Sequence, residues 1–422
     1  MKILWITNTI FPAPSKTIGI PAPVFGGWMY GLAMKLATSS GIKLAVATIY
    51  QGKELKSLDI ERVTYYLIPS KSTIAYQKRL EPYWQTICEE FKPDIVHIHG
   101  TEFTHGLSCM RKCPTLNYVV SIQGIVGVYS RYYYAGISIL NILKNITFRD
   151  VVRCDTLFQG KKNFKLNGIF ENEFLQKTHH VIGRTSWDFA HTKAINPSLS
   201  YHFCNESLRD CFYNATKWNI NSKTNYTIFL SQAAYPIKGL HQVLKAVALL
   251  ISDFPEIKVR VAGPSIIRNN TILDKMKISG YGSYIKKIMN KYKLNDIVHF
   301  TGLLNERQMV NEYQNCHVFI CPSSIENSPN SLCEAAIIGA PIIAAYVGGI
   351  PDMLVHDESG LLYQFEEIEM LSENIRRIFS DNIQSERLSQ YGIKVAEQRH
   401  NADIILEQTL KIYTKVLMKD IV

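Results

Sequence analysis

No stretch of this 422-residue sequence approaches the roughly 20 uncharged apolar residues that a membrane span requires. The apolar start, residues 1–11, is too short for the apolar core of a signal peptide, and Pro12 and Pro14 follow it closely. We therefore expect a cytoplasmic protein, and we expect any contact with the inner face of the cytoplasmic membrane to be peripheral.

Paired metal-binding motifs are also missing. The nine cysteines include no Cys-x-x-Cys pair. Cys109 and Cys113 have the spacing of neighbours on a helix, but no second Cys/His pair lies nearby to complete a metal site. The sequence contains no Asp-x-Asp pair either. We therefore expect reduced cysteines, no metal and no cofactor.

The sequence has no arginine-rich run and no nucleic-acid-binding motif, so we expect no nucleic-acid partner. The formal charge is nevertheless +10. Such a charge favours anionic partners, among them anionic lipid and phosphorylated ligands. A basic surface without a particular partner is the alternative interpretation.

The composition is that of a folded soluble protein. The sequence contains 23 Tyr and 18 Phe, which excludes a disordered chain. Its 422 residues are too many for one ordinary core and suit two domains of similar size.

Short apolar segments alternate with helical patterns in both halves of the chain. The first half has strand candidates at 2–8, 42–50, 94–100, 117–124 and 200–207, and another opens the segment 180–195. The second half has them at 226–232, 257–263, 297–302, 317–323 and 341–347. This alternation predicts two doubly wound, Rossmann-like α/β domains with parallel sheets. Ligands bind outside the carboxyl ends of such strands, so we expect a cleft where the two domains face each other.

The polar, aperiodic stretch 214–225 predicts the linker between the domains. We therefore place the first domain at 1–214 and the second at 225–395. The tail from about 366 has a helical, charged pattern. We expect its last part, 396–422, to pack back on the first domain.

The segment 125–178 is less regular and crowds several tyrosines, among them Tyr129, Tyr132, Tyr133 and Tyr134. Packing against the second domain is one interpretation. The other is a surface that faces an acceptor or a membrane, because Tyr, Lys and Arg suit interfaces.

The segment 323–351 carries two carboxylates eight positions apart, Glu326 and Glu334, in an otherwise apolar setting. Ser328 is suited to cap the following helix, with Pro329 in its first turn. Gly339 and Pro341 end the helix. A helix N-terminus suits a phosphate, and a carboxylate beside it suits sugar hydroxyls or a metal. The alternative is that Glu334 complements the helix dipole and that Glu326 is a solvated loop residue.

Together with Gly339-x-Pro341 and Gly348-Gly349-Ile350-Pro351, these glutamates resemble the signature of the family 4 glycosyltransferases, retaining enzymes with the GT-B fold. Lys238-Gly239, "VAGP" (261–264), "TGLL" (301–304), "CPSS" (321–324) and "ESGLLY" (358–363) fit in order. Gly26-Gly27 and "KPDIVHIHG" (92–100) fit more loosely. The resemblance is strong in the second domain and loose in the first.

The resemblance implies roles for matching positions. The first domain would bind the acceptor, and the second would bind a nucleotide-diphosphate sugar. Glu334 would hold the ribose, Glu326 the transferred sugar, and Lys238 the leaving diphosphate. The segment from Asn327 to Leu332, which includes Ser328, Asn330 and Ser331, would contact the sugar and the phosphates through its backbone. Gly26 and Gly27 would let a loop approach the diphosphate. A solvated lysine at a helix start is the alternative for Lys238.

Two positions depart from the family pattern. Gln232 stands where the family usually has a phosphate-binding arginine, and Arg184 is a candidate to replace it. Gln123 stands where the family often has a histidine. Gln123 can bind a sugar hydroxyl but cannot carry a proton, so His99 and His105 are the candidate bases. A structural role is the alternative for each histidine.

The resemblance implies a retaining, metal-independent glycosyltransferase that orients its two substrates. Its acceptor would be a glycan or lipid-linked glycan of bacterial capsule, O-antigen or exopolysaccharide. We expect the loss of Lys238 to lower the rate and to leave the thermal melt nearly unchanged. A nucleotide-sugar 2-epimerase and a degenerate sugar-binding or partner subunit are the alternatives.

Overall fold

A computed structural model of the chain describes residues 1–21, 27–71, 75–267, 271, 274 and 277–418. These residues form two compact units. The first unit comprises residues 1–128, 164–209 and 400–422, and the second comprises 129–163 and 210–399. The expected linker at 214–225 divides the chain differently, because residues 129–163 group with the second unit and residues from 400 onward with the first. No single cut in the sequence separates the two units.

The first unit is built on an eight-stranded sheet in the order β3-β4-β2-β1-β5-β6-β7-β8. Its strands are β1 (Lys2–Ile6), β2 (Lys43–Tyr50), β3 (Lys56–Ile60), β4 (Val63–Pro69), β5 (Ile95–His99), β6 (Tyr118–Ser121), β7 (His180–Gly183) and β8 (Ser200–Phe203). Apolar side chains from β1 contribute to the clusters on both faces, with Leu4 and Ile6 on one face and Ile3 and Trp5 on the other. Burial on both faces explains why these strands read as continuous apolar runs.

The β3–β4 hairpin is the one antiparallel pair of this sheet among the described residues, and the other described pairs are parallel, as expected. The two strands are joined by Glu61 and Arg62, whose φ angles of 51° and 65° give the left-handed turn a tight hairpin needs. Neither residue is a glycine or an asparagine, so the usual signal for this turn is missing from the sequence.

The second unit is built on a six-stranded parallel sheet in the order β11-β10-β9-β12-β13-β14. Its strands are β9 (Thr227–Leu230), β10 (Lys258–Val261), β11 (Val298–Phe300), β12 (Val318–Cys321), β13 (Ile342–Ala345) and β14 (Leu361–Tyr363). The chain order reverses between β9 and β12, which makes this the switch point where ligands of open α/β sheets bind.

Helices cover the sheets of both units. The helices assigned to the first unit are Pro12–Thr17, Gly27–Thr38, Glu81–Phe91, His105–Lys112, Ser186–Ile195 and Ala402–Leu417. Those of the second unit are Ile139–Leu143, Phe148–Arg153, Asp210–Tyr213, Leu240–Ala248, Gly280–Tyr292, Glu306–Asn315, Asn330–Ile338, Ile368–Ser380 and Asn382–Arg399. Val126–Tyr129 and Leu157–Lys177 run from one unit into the other. No described helix combines the length and apolar character that crossing a bilayer requires.

The C-terminal helix Ala402–Leu417 packs on the first sheet. Ile405, Ile412 and Tyr413 join the apolar cluster that contains Ile3 and Trp5. The Trp5 indole Nε1–H donates to the Tyr413 hydroxyl at 2.9 Å. The end of the chain is therefore part of the first unit's core.

Candidate active site

The segment after β12 carries the buried carboxylate at the centre of the second unit's site. The strand ends at Cys321, and the chain passes through residues 322–329 before the helix Asn330–Ile338 begins. Glu326 lies in this loop and is 7% exposed. Its Oε1 accepts hydrogen bonds from Lys238 Nζ at 2.5 Å and from Ser323 Oγ at 2.8 Å. The interpretation of Glu326 as a solvated loop residue is therefore wrong.

Lys238 reaches Glu326 from the short 3₁₀ turn Pro236–Lys238, which follows β9. It is only 9% exposed, so it is not a solvated lysine at a helix start. Burial disfavours its ammonium form, but the adjacent Glu326 carboxylate outweighs that effect and raises the pKa of Lys238 above its ordinary value. Lys238 therefore carries a fixed positive charge at the carboxyl edge of the sheet.

Burial of this ion pair changes the expected effect of removing Lys238. Deleting one partner of a buried pair leaves the other charge uncompensated and costs about 3–5 kcal/mol. The expectation of a nearly unchanged melt does not fit this environment, and we replace it with a loss of stability at neutral pH.

Two glycines allow the backbone to pack closely around the Lys238–Glu326 ion pair. Gly239 has a φ of 72°, and a Cβ added there would lie 1.7 Å from the Pro322 carbonyl oxygen. Gly348 has a φ of 51°, and a Cβ there would lie 1.9 Å from the Glu326 carbonyl oxygen. Only glycine fits either position, which explains why Lys238-Gly239 and Gly348-Gly349 belong to the motif.

The helix Asn330–Ile338 begins one residue later than expected. Its N-cap is Pro329, whose side chain cannot accept a hydrogen bond, and no side chain caps this end. The prediction that Ser328 caps the helix is wrong. The N-cap side chain therefore accepts no hydrogen bond from the first backbone N–H groups, and a helix N-terminus of this kind suits an anionic ligand. The helix ends at Gly339 in the left-handed conformation, as expected.

Glu334 lies in the second turn of this helix and is 7% exposed. Its Oε2 accepts a hydrogen bond from the Tyr313 hydroxyl at 3.3 Å. Tyr313 belongs to the helix Glu306–Asn315 and is fully buried among Phe212, Phe229 and Phe319. The packed tyrosine therefore fixes the position of the Glu334 carboxylate.

The remaining donor-site candidates of the second unit differ in exposure. Asn327 and Leu332 are each 1% exposed, and Ser328 is 9% exposed. Asn330 and Ser331 are partly buried at the helix start. The Leu332 N–H already donates to the Pro329 carbonyl at 3.0 Å, so of these residues Leu332 is the least suited to contact a ligand through its amide. Gln232 is exposed after β9.

Only one glycine of the Gly26-Gly27 pair lies among the residues that the structure describes. Gly27 opens the helix Gly27–Thr38, at the helix N-terminus. Gly26 lies outside the described residues. The role of this pair in approaching a diphosphate stays a prediction.

His99 and His105, the candidate bases, are buried at 3% exposure in the first unit. Burial, reinforced by His97 and Arg184, lowers the pKa of His99 well below its ordinary value. Neither ring nitrogen of His99 has a hydrogen-bond partner among the described residues. The His105 Nε2–H donates to the Thr7 carbonyl at 3.1 Å, and burial lowers the pKa of His105 to about 4. Both rings are therefore neutral at pH 7.

Gln123 and Arg184 form one buried polar cluster of the first unit with Glu206. The Gln123 amide donates to Glu206 Oε1 at 2.7 Å, and Arg184 pairs with Glu206 Oε2. Arg184 also donates to the Ile122 carbonyl at 2.7 Å. Its charge is therefore compensated within the first unit. This pairing weakens the case for Arg184 as the replacement for the arginine missing at Gln232.

Sequence reasoning missed three residues that support these groups. Ser323 and Tyr313 position the two glutamates of the second unit. In the first unit Glu171, 1% exposed, accepts hydrogen bonds from the Gly127 N–H at 2.8 Å and the Thr101 hydroxyl at 2.7 Å. Burial raises the pKa of Glu171 to about 7. Ser323 lies only three positions before Glu326, whereas the partners of Tyr313 and Glu171 lie 21 to 70 positions away, so no local pattern marks these two residues.

The neutral state of His105 predicts a dependence of stability on pH. The unfolded chain binds a proton near pH 6.5, whereas folded His105 binds one only near pH 4. The unfolded state therefore gains protons first, and stability falls as the pH drops below 6.5. We expect His105→Gln, which keeps a donor for the Thr7 carbonyl, to remove about 1.5 kcal/mol of the loss between pH 6.5 and 5. Urea titrations of the wild type and of His105→Gln at pH 6.5 and pH 5 measure the loss of unfolding free energy in each protein. Equal losses in the two proteins would contradict the prediction.

The two-unit α/β architecture is shared with solved glycosyltransferase structures. Sucrose-phosphate synthase of Thermosynechococcus elongatus is similar over 99% of both chains, with a TM-score of 0.72 and 16% identity. Anabaena HepE, solved in complex with UDP-glucose, is similar over 98% of this chain and 100% of that chain, with a TM-score of 0.67 and 14% identity. The expected fold class is therefore confirmed: the chain has the GT-B fold.

The sequence of the second unit is similar to that of known glycosyltransferases. Residues 214–395, less than half of the chain, match the family model described as glycosyl transferases group 1. The capsular polysaccharide biosynthesis glycosyltransferase CapM of Staphylococcus aureus is 24% identical over 180 residues, 43% of each chain. The chain matches less than half the length of such curated relatives, with 46%, 40% and 43% of three of them aligned.

Proposed function

We propose that this protein transfers a sugar from a nucleotide-diphosphate sugar to a glycan acceptor, with retention at the anomeric carbon. The observation that carries the proposal is the buried Lys238–Glu326 pair at 2.5 Å, in the loop that leads into an uncapped helix N-terminus. A fixed cation beside a helix N-terminus suits a diphosphate, and the carboxylates suit sugar hydroxyls.

Each group has a task in this mechanism. Lys238 stabilises the negative charge that develops on the diphosphate as the glycosidic bond breaks. Glu326 accepts hydrogen bonds from hydroxyls of the transferred sugar, and Glu334, held by Tyr313, accepts them from the ribose. The departing phosphate oxygen takes the proton of the acceptor hydroxyl on the same face of the sugar, and this accounts for retention. Because His99 is buried, we assign it no proton transfer.

The acceptor class is inferred from the relatives. CapM is described as a capsular polysaccharide biosynthesis enzyme, and WaaG, similar with a TM-score of 0.63, as a glycosyltransferase involved in lipopolysaccharide biosynthesis. We therefore propose a surface-polysaccharide acceptor, carried on a lipid, and a site of action at the inner face of the cytoplasmic membrane.

Donor turnover tests the function. Purified protein is incubated with UDP-glucose, GDP-mannose or ADP-glucose, with and without EDTA, and the released nucleoside diphosphate is measured. We expect slow hydrolysis of one donor, unaffected by EDTA, with the α-anomer as the first product of an α-linked donor. Release of the β-anomer would contradict retention. Absence of turnover with all donors would favour the degenerate sugar-binding alternative.

An exposed apolar patch supports the membrane contact. Seven large apolar side chains within 139–152 are 39–67% exposed: Ile139, Leu140, Leu143, Ile146, Phe148, Val151 and Val152. Exposed Lys144 and Arg153 lie in the same segment, which complements anionic lipid. Patches of this kind usually mark an interaction site. This supports the membrane-facing interpretation of the irregular segment.

Charge placed in the apolar patch is expected to weaken membrane binding. Wild-type protein should sediment with phosphatidylglycerol vesicles at low salt. Phe148→Glu combined with Val152→Glu should bind at least about tenfold more weakly, because each apolar side chain contributes about 1.5–3 kcal/mol when buried. Ile383→Glu, at a side chain that is 81% exposed outside the patch, is the matched control. Equal sedimentation of the double variant and the wild type would rule out the patch as the membrane contact.

A further inference from the structure

A cavity opens at the carboxyl ends of β12, β13 and β14, within the second unit and beside the donor-site candidates. Its volume is about 440 Å³, within the roughly 300–1,000 Å³ typical of small-molecule sites. The side chains that define its chemistry are Arg131, Tyr132, Ser324, Tyr346, Gln364 and Glu366. None of these residues has a role in the mechanism above.

The backbone around this cavity is held by hydrogen bonds. The Ser324 hydroxyl donates to the Tyr132 carbonyl at 3.1 Å, and the buried His241 Nε2–H donates to the Ala135 carbonyl at 2.8 Å. The Tyr346 N–H donates to the Tyr363 carbonyl at 2.7 Å. The first two contacts tie Tyr132 to the loop after β12 and Ala135 to the helix Leu240–Ala248. The cavity is therefore largely formed before a ligand arrives, which lowers the entropy cost of binding.

The side chains combine flat apolar faces with hydrogen-bonding groups. Tyr346 is 60% exposed and Tyr132 is 42% exposed, large fractions for aromatic residues. Arg131, Gln364 and Glu366 are exposed beside them and offer both donors and acceptors. A purely apolar ligand would leave these polar groups unsatisfied. A diphosphate would meet the Glu366 carboxylate. A neutral ring whose faces are apolar and whose edges carry hydroxyls can pack on the tyrosines and form hydrogen bonds with the polar side chains.

We propose that this cavity binds a neutral sugar residue of the acceptor glycan, beyond the residue that is glycosylated. The proposal rests on the transferase function. Ser324 lies two positions before Glu326, and Val347, also in the lining, precedes Gly348, which packs on the Glu326 carbonyl. A glycan bound here therefore lies next to the loop that holds the reacting sugar.

Direct binding tests the cavity without requiring turnover. Saturation-transfer NMR and calorimetry use neutral di- and trisaccharides of glucose, galactose, mannose and N-acetylglucosamine. We expect wild-type protein to bind at least one of them. Tyr346→Ala should weaken binding at least about tenfold, which corresponds to about 1.4 kcal/mol, and Tyr346→Phe by less than about threefold. Tyr391→Ala, at a tyrosine that is 40% exposed outside the cavity, should bind like wild type.

Two results would overturn the proposal: no oligosaccharide of the panel binds, or Tyr346→Ala binds like wild type. Thermal shifts with UDP and GDP separate this proposal from the proposed function. Glu334 and Lys238, the residues assigned to the nucleotide, do not line the cavity. A nucleotide should therefore raise the melting temperature of Tyr346→Ala as much as that of the wild type. Oligosaccharide binding that is lost in Tyr346→Ala, in a protein that binds no nucleotide, would support the cavity and refute the transferase.

Discussion

Lys238→Ala is expected to lower the rate of sugar transfer by at least tenfold and by as much as about 1,000-fold, the range for removing one charge-stabilising group. The reason is the position of the Lys238 ammonium, which is fixed by Glu326 at 2.5 Å and by burial. Its charge stabilises the diphosphate more as the bond breaks than in the bound donor. The measurement is kcat for donor hydrolysis and for transfer at saturating donor. Wild-type turnover in the variant would refute the role of Lys238.

The same substitution is expected to lower stability, by about 3–5 kcal/mol at pH 7, because Glu326 is left as a buried charge without its partner. Replacing both residues, Lys238→Met with Glu326→Gln, removes the uncompensated charge. We expect the double variant to regain most of the stability and none of the activity. This comparison separates loss of charge stabilisation from loss of fold. Activity that returns together with stability would show that Lys238 acts only through the fold.

Glu334→Ala is expected to abolish the stabilisation of the protein by its nucleotide. A ligand at 100 times its dissociation constant adds about 2.7 kcal/mol to the free energy of unfolding. That corresponds to roughly 5–10 °C for a domain of 150–250 residues, at about 2–4 °C per kcal/mol. We expect one of UDP, GDP, ADP and CMP to raise the melting temperature of the wild type by this amount. The shift should disappear in Glu334→Ala, because the ribose loses its acceptor.

Tyr313→Phe is the matched control for this experiment. It removes only the hydroxyl that donates to Glu334 at 3.3 Å and leaves the aromatic packing in place. We expect a smaller shift than in the wild type and a larger one than in Glu334→Ala. A full shift in Glu334→Ala would show that the nucleotide binds elsewhere. No shift with any nucleotide in the wild type would contradict the transferase function and favour the degenerate sugar-binding alternative, with Gln232, where the family usually has a second cation, as the first suspect.

The alternation of apolar strands and amphipathic helices is a local property, and it was enough to predict most strands of both sheets, but not β3, β4 or β14. The predicted strands at 2–8, 42–50 and 317–323 contain β1, β2 and β12, with ends shifted by up to two residues. The β3–β4 hairpin was not predicted, because Glu61 and Arg62 adopt its turn without the usual turn residues. Local patterns predict burial; they do not predict which strand pairs with which.

The spacing of Glu326 and Glu334, the glycines around them and the resemblance to a known family were likewise readable from the sequence alone. The tertiary structure decided what these residues contact. It brings Lys238 onto Glu326 across 88 positions of sequence, Tyr313 onto Glu334, and Arg184 onto Glu206 instead of leaving it free for a phosphate. It also assigns residues 129–163 to the second unit, where Arg131, Tyr132 and some of their neighbours up to Gly136 line the proposed sugar site. The physical reason is that a residue's type and its neighbours in sequence determine whether it can be buried, whereas its charge partner depends on the packing of distant segments.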